Sequence, residues 1–165
     1  MKPWFRVALL LAVVLPAVGC DQATKGLARE HLAGQPSVEM LGGAVLLTYA
    51  ENAGAALSMG DSIQEPYRRW LFTFGTGAML VLVLGFALSR RLTTRSELVA
   101  CALVLGGGIG NLVDRILNDG RVVDFAVVGI GPLRTGVFNV ADMFIMAGVL
   151  MMFVLVNRKP VPVTA

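Results

Sequence analysis

The chain has 165 residues, 56% of them hydrophobic and only 15% charged, with a formal net charge of +3 and a mean hydropathy of +0.72. Soluble domains carry about a quarter charged residues, so this composition excludes an ordinary soluble globule and predicts an integral membrane protein. Four spans would leave little chain for a second unit, so one membrane domain covering residues 1–165 is expected.

Four apolar stretches approach the ~20 residues needed to cross ~30 Å of hydrocarbon. They lie at about 4–24, 70–88, 97–113 and 138–156. The first begins with Lys2 and Arg6 followed by VALLLAVVLPAVGC, which looks like a secretory signal ending in a lipidation box at Cys20. Asp21, Gln22 and Lys25 nevertheless continue its helical pattern, and three more spans follow, so an uncut first helix is expected. DQATK places Asp21 and Lys25 four residues apart on one helix face, acid before base. A local ion pair at the membrane surface accounts for that spacing by itself. His31 reads as a solvated loop residue.

The next stretch, VEMLGGAVLLTYAENAGAALS, mixes glycine with β-branched and apolar residues and predicts a small sheet on the outer surface. Within it, Asn52, Gly54 and Ser58 could orient a bound peptide backbone or a carboxylate, although turn chemistry explains the stretch equally well. DSIQEPYRRW predicts a short interfacial element carrying Ile63, Tyr67 and Trp70.

The third span ends in GGGIGNLVDR. Gly106 and Gly110 form a small-xxx-small pair that lets another helix approach closely. Asn111, Asp114 and Arg115 project from one face where the helix meets water. Asp114 and Arg115 could pair with each other, while Asn111, one turn deeper, still needs partners within the bundle. GRVVDFAVVGI then reads as a short strand or buried edge holding a partly buried carboxylate, Asp124. FNVAD opens the fourth span, with Asn139 and Asp142 three residues apart on a shared face. An ionised carboxylate in hydrocarbon costs roughly 2.5 kcal/mol or more, so Asp142 calls for a function.

Basic residues set the orientation. Lys2, Arg6, Arg90, Arg91, Arg95, Arg158 and Lys159 crowd three short segments, which the positive-inside rule places in the cytoplasm together with both termini. Residues 21–69 and 114–137 then face outward. The positive charge reflects topology, and no nucleic-acid partner is expected. Two cysteines and one histidine give no metal-ligand spacing. No metal or cofactor is expected, and Cys20 and Cys101, at opposite faces, are not expected to form a disulfide.

DQATK, ENAGAALS, GGGIGNLVDRI, VVDF and FNVAD, in this order on a four-span chain, resemble the lipoprotein signal peptidases (signal peptidase II) from the first span to the fourth. Leu57 stands where the family more often has Phe, and residues 129–137 lack the Trp-containing sequence often found before FNxAD. The resemblance implies an all-α membrane protein with four transmembrane helices, a small extracytoplasmic β-cradle and an interfacial lid at 60–69. It implies an intramembrane aspartic endopeptidase of the bacterial cytoplasmic (inner) membrane, with Asp124 and Asp142 catalytic. Its substrates would be diacylglyceryl-modified prolipoproteins, cut N-terminal to the lipid-modified cysteine at the extracytoplasmic face. Asn52, Gly54, Asn111, Arg115 and Asn139 would support substrate or the aspartates, and Asp21, Lys25 and Asp114 would be structural. A monomer among membrane lipids is expected, and the same resemblance implies inhibition by globomycin-type peptides.

Two rivals come from other classes. A small transporter or channel also uses intramembrane Asp, Asn and Arg, but it should carry polar residues through the full membrane depth. Here LVLVLGFAL and MMFVLV leave the inner halves apolar. A non-catalytic assembly subunit would be indifferent to loss of Asp124 or Asp142.

Overall fold

The computed structural model describes residues 1–54, 63–89, 91–92 and 94–157. Leu57, Ser58, Arg90, Arg158 and Lys159 lie outside them.

Four helices carry most of the chain. Helix α1 (Pro3–Leu32) opens on a proline, where the missing N–H costs nothing, and runs for 30 residues. At 1.5 Å per residue it is about 45 Å long, so it continues past DQATK. His31 therefore sits exposed in its last turn rather than in a loop. Helix α2 (Tyr67–Leu88) has 22 residues. Tyr67 and Trp70, expected in a short interfacial element, belong to its first turn, and the lid expected at 60–69 lies partly outside the described residues. Helix α3 (Arg95–Leu117) begins at a reciprocal cap in which Glu97 N donates to Thr94 Oγ1 and Thr94 N donates to the Glu97 carboxylate.

Helix α4 (Val140–Val156) has 17 residues, fewer than its apolar run suggested. Phe138 is taken by a β-bridge to Ala126, and Asn139 is the N-cap. By length and composition α1, α2 and α3 are each able to cross a membrane, and α4 is a shorter apolar helix.

Helix α3 is the axis of the bundle, and its glycines explain why. A Cβ at Gly106 would come within 2.6 Å of Ala17 Cβ on α1, and one at Gly110 would strike the Asp21 carboxylate. One at Gly107 would strike the Ala141 carbonyl of α4. The expected small-xxx-small pair thus seats α1, four residues matching four, while Gly107 seats α4. Away from these contacts the surface is apolar: Leu71, Phe74 and Leu82 of α2 and Met146, Leu150 and Phe153 of α4 are all more than half exposed. Side chains this large, contiguous and uncovered by protein are those of a helical membrane protein.

At the other end from Ala87–Ser89 sits an antiparallel sheet of β1 (Val38–Met40), β2 (Val45–Asn52), β3 (Val122–Ile130) and β4 (Leu133–Arg134), in the order β1-β2-β3-β4. The segment expected as a short strand or edge is instead a nine-residue strand inside the sheet. The edges are short, which limits unwanted pairing. An irregularity between Leu47 and Ala50 shifts the β2–β3 register, after which Ala50 faces Asp124 and Asn52 faces Val122. Bulges of this kind re-aim side chains beside functional sites.

Candidate active site

The start of α4 is a capping box. Asn139 Oδ1 accepts from Asp142 N at 3.0 Å, and Asp142 Oδ2 accepts from Asn139 N at 3.2 Å. This explains in part how an acid can open an apolar helix, since it satisfies N–H groups that have no intrahelical partner. Asn139 precedes the helix, so the shared helical face expected for Asn139 and Asp142 is replaced by this reciprocal pairing.

The same asparagine reaches the sheet. Asn139 Nδ2 donates to Asp124 Oδ1 at 2.6 Å and also lies 3.3 Å from Val123 O and 3.2 Å from Asn111 Oδ1. Asp124 Oδ2 accepts from Asn52 Nδ2 at 3.1 Å, and Gly54 N donates to Asn52 Oδ1 at 3.0 Å, which sets the direction of that amide. Asp142 Oδ1 accepts from Asn111 Nδ2 at 2.9 Å. One residue thus bonds both aspartates, each of which has a second asparagine of its own. Burial lifts the Asp124 carboxyl from 3.8 to about 6, with the Asn52 hydrogen bond opposing and the nearby Asp142 charge adding to the rise.

Behind this layer lies an ion cluster. Asp21, Lys25 and Asp114 have no exposed surface. Lys25 Nζ is 2.9 Å from Asp21 Oδ2 and 3.1 Å from Asp114 Oδ2. The Asp21–Lys25 pair is therefore a core element, not a membrane-surface ion pair. Asp114 also takes Arg29 at 3.2 Å. The pairing of Asp114 with Arg115 is not formed: Arg115 donates to the carbonyls of Gly54 at 3.2 Å and Asn111 at 3.4 Å. Helix direction is the reason, because neighbouring residues diverge by about 100° around the axis. Asp114 faces α1, and Arg115 faces Gly54, just beyond the end of β2.

Asn52, Gly54, Asn111, Arg115, Asp124 and Asp142 all line one cavity of about 700 Å³. Phe138, Met143, Met146 and Leu150 are among the residues that line the rest, giving it one polar end and a long, mostly apolar wall. Arg115 is buried, and its Nε has no hydrogen-bond partner among the described residues. Such an arrangement can hold an extended, mostly apolar ligand with a polarised carbonyl at one end. Of the expected site residues, Ser58 alone falls outside the described chain.

Gln22 and Arg29 were missed by sequence reasoning. Gln22 Nε2 reaches Asp21, the Gly110 carbonyl and Asp114 at 3.1 to 3.3 Å. The signal was present, since Asp21, Lys25 and Arg29 recur every four residues and so share one face of α1.

A family model described as Signal peptidase (SPase) II matches residues 13–158. A lipoprotein signal peptidase of Sphingopyxis alaskensis is 39% identical over 92% of this chain and 85% of its own. One from Mycobacterium leprae is 35% identical over 94% of this chain and 74% of its own. A solved bacterial membrane enzyme superposes with a TM-score of 0.81 at 24% identity, covering 93% of this chain and 96% of its own, so the fold is shared. By sequence, over nearly its whole length, the chain belongs to the signal peptidase II family.

Proposed function

We propose that the protein is an intramembrane aspartic endopeptidase of the bacterial inner membrane. It removes the signal peptide from diacylglyceryl-modified prolipoproteins by cutting N-terminal to the lipid-modified cysteine, with Asp124 and Asp142 as the catalytic pair. Family membership supports the substrate class. The observation that carries the catalytic type is the single asparagine, Asn139, bonded to both carboxylates at the polar end of a mostly apolar cavity.

In this reading the pair shares one proton, since like charges side by side do not both ionise. Asp124, buried and raised to about 6, holds it. Asp142, which accepts from Asn111 and from Asn139 N, is the ionised member. Asp142 takes a proton from a water as the water oxygen bonds to the scissile carbonyl carbon. Asp124 donates to the carbonyl oxygen as it becomes an alcohol. The C–O proton then returns to Asp124 as the carbonyl re-forms, Asp142 protonates the amide nitrogen, and the C–N bond breaks. One proton on two carboxylates leaves a net single negative charge, which the buried Arg115 guanidinium balances.

The four-span topology, with both termini cytoplasmic and the sheet outside, follows from the basic flanks and is part of the proposal. The shorter α4 crosses with its capped end at the lipid boundary, where a lipid-bearing cysteine would be held. Single cysteines at Ser37 and Asn118, on a background lacking Cys20 and Cys101, should react with a membrane-impermeant reagent added to intact cells.

The decisive experiment is single-turnover cleavage of a diacylglyceryl-modified prolipoprotein peptide by purified protein in detergent. Asp124→Asn and Asp142→Asn should each slow it by orders of magnitude, and the double variant should be little worse, because residues acting as a unit are not additive. Near-wild-type cleavage by either variant, folded by thermal unfolding, refutes the aspartic mechanism.

A further inference from the structure

Lys25 is fully buried on α1. Its ammonium meets three acceptors: Asp21 Oδ2 at 2.9 Å, Asp114 Oδ2 at 3.1 Å and Asn111 Oδ1 at 2.8 Å. Three donors on three acceptors leave none over. The carboxylates it holds are in turn tied to the catalytic elements. Asp21 Oδ1 accepts from Ala141 N at 2.9 Å, and Asp114 Oδ2 accepts from Val123 N at 2.9 Å. Ala141 immediately precedes Asp142, and Val123 immediately precedes Asp124. One lysine therefore anchors the residue next to each aspartate from behind.

The contact with Asn111 adds a chemical constraint. An ammonium has no lone pair to offer, so the atom of Asn111 that faces Lys25 must be the oxygen. Asn139 Nδ2, 3.2 Å from the same oxygen, adds to that requirement. The Asn111 amino group is then obliged to point at Asp142, 2.9 Å away. A flipped amide would set oxygen against carboxylate and nitrogen against ammonium, two repulsive contacts in place of two attractive ones.

We propose that Lys25 is a positioning residue for hydrolysis: by fixing the Asn111 amide as a donor toward Asp142, it keeps Asp142 the ionised, water-activating member of the pair. The inference rests on the aspartic dyad proposed above. A hydrogen bond donated to a carboxylate favours its charged form. Besides Lys25, Arg115 of α3 is the charged group that acts on both aspartates, while Asp114 of α3 and Asp21 and Arg29 of α1 belong to the ion cluster behind them. Arg68 and Arg69 of α2 are engaged with Glu65 and Asp119, and Arg121 of the loop before β3 is engaged with Glu51.

Lys25→Met alone would leave the buried Asp21 carboxylate without a cation, whereas Asp114 keeps Arg29, so the test uses charge-balanced pairs. Asp21→Asn/Lys25→Met removes one charge of each sign and leaves Asp114 with Arg29. Asp21→Asn/Lys25→Gln has the same charge but retains a side-chain donor toward Asn111. With the lipid-modified peptide in detergent, the Met pair should fold yet cleave on the order of a hundredfold slower, as for a small misplacement at a reactive centre. The acid limb of its kcat/KM profile should move to higher pH, and the Gln pair should recover part of both.

A folded Met pair with an unmoved acid limb overturns the inference, whatever its rate, because a purely structural lysine would slow cleavage without moving the limb. Should the Met pair not fold, the Asn111 side-chain amide of the wild-type protein decides by nitrogen NMR in micelles. Its signal must shift over the pH range in which cleavage switches on, and a signal that stays put overturns the inference. Active Asp124→Asn or Asp142→Asn variants would mean instead that the dyad reading itself had failed.

Discussion

Asn139 Nδ2 stands 2.6 Å from Asp124 Oδ1, so the N-cap of α4 is also a strut to the middle of the sheet. The side chain is 1% exposed and has no route to water if its partners change. Asn139→Leu should therefore do two separable things. Loss of the cap should cost about 1 kcal/mol of stability. Loss of the strut should slow single-turnover cleavage on the order of a hundredfold, since the two carboxylates would no longer be held in register. A folded variant that cleaves like wild type would reduce Asn139 to a helix cap.

The raised Asp124 carboxyl makes a signed prediction. Its value is near 6 in the folded protein against 3.8 for the free group, so between those values the folded state binds more protons than the unfolded one. The stability contributed by this group is therefore complete below about 4 and is lost as pH rises through about 6. If Asp124 carries the catalytic proton, kcat/KM should fall along the same upper limb. Asn52→Leu removes a hydrogen bond that favours the anion, so it should carry that limb to higher pH. A downward displacement in the pH profile of Asn52→Leu would contradict the assignment of the proton to Asp124.

Neighbouring glycines of α3 should differ sharply. A methyl group at Gly107 would press on the Ala141 backbone, whereas one at Gly108 would press on the tip of Leu80, 2.5 Å from the added Cβ. A side-chain tip can rotate away and a helix backbone cannot. Gly107→Ala should cost roughly 1–3 kcal/mol or more as overpacking, and it should disturb Asp142 next door. Gly108→Ala should be milder. Thermal unfolding in detergent compares them directly, and equal losses would mean that α3 and α4 are not seated as described.

Arg6 serves the opposite end of the bundle. Its guanidinium is buried and donates to the carbonyls of Ser89 and Leu92, each at 2.5 Å, and of Ala87 at 3.3 Å. It thereby satisfies carbonyls at the C-terminus of α2 and in the turn to α3. Arg6→Met should lower stability by about 3 kcal/mol, since buried hydrogen bonds to a charged group are lost. Cleavage per folded molecule should stay near wild type, because this cluster lies far from Asp124 and Asp142. A fall in rate without a fall in unfolding temperature would count against it.

Much of the protein is legible in its sequence. Hydropathy located the four helices, because a membrane span declares itself by composition over ~20 residues. The spacing of Gly106 and Gly110 identified a helix contact, and the ordered motifs identified the family. Boundaries were less legible. The apolar run from Phe138 could not reveal that Phe138 pairs with Ala126 and that Asn139 caps rather than continues the helix. Those roles depend on a strand that arrives from elsewhere in the chain.

The sequence by itself determined which residues are polar in an apolar chain, and hence where chemistry is affordable at all. Only the tertiary structure decided how they are shared out. Asp114 could pair with Arg115 by proximity in the chain, yet it pairs with Lys25 and Arg29 because α1 packs onto the glycine face of α3. Asp21 and Lys25 could be a surface pair, yet they lie in the core because the sheet and α4 close over them. Spacing along a helix tells which residues share a face, but the partner of that face comes from distant segments. In a medium with no water to fill the gap, that partner decides whether a charge is paired, poised for chemistry or forbidden.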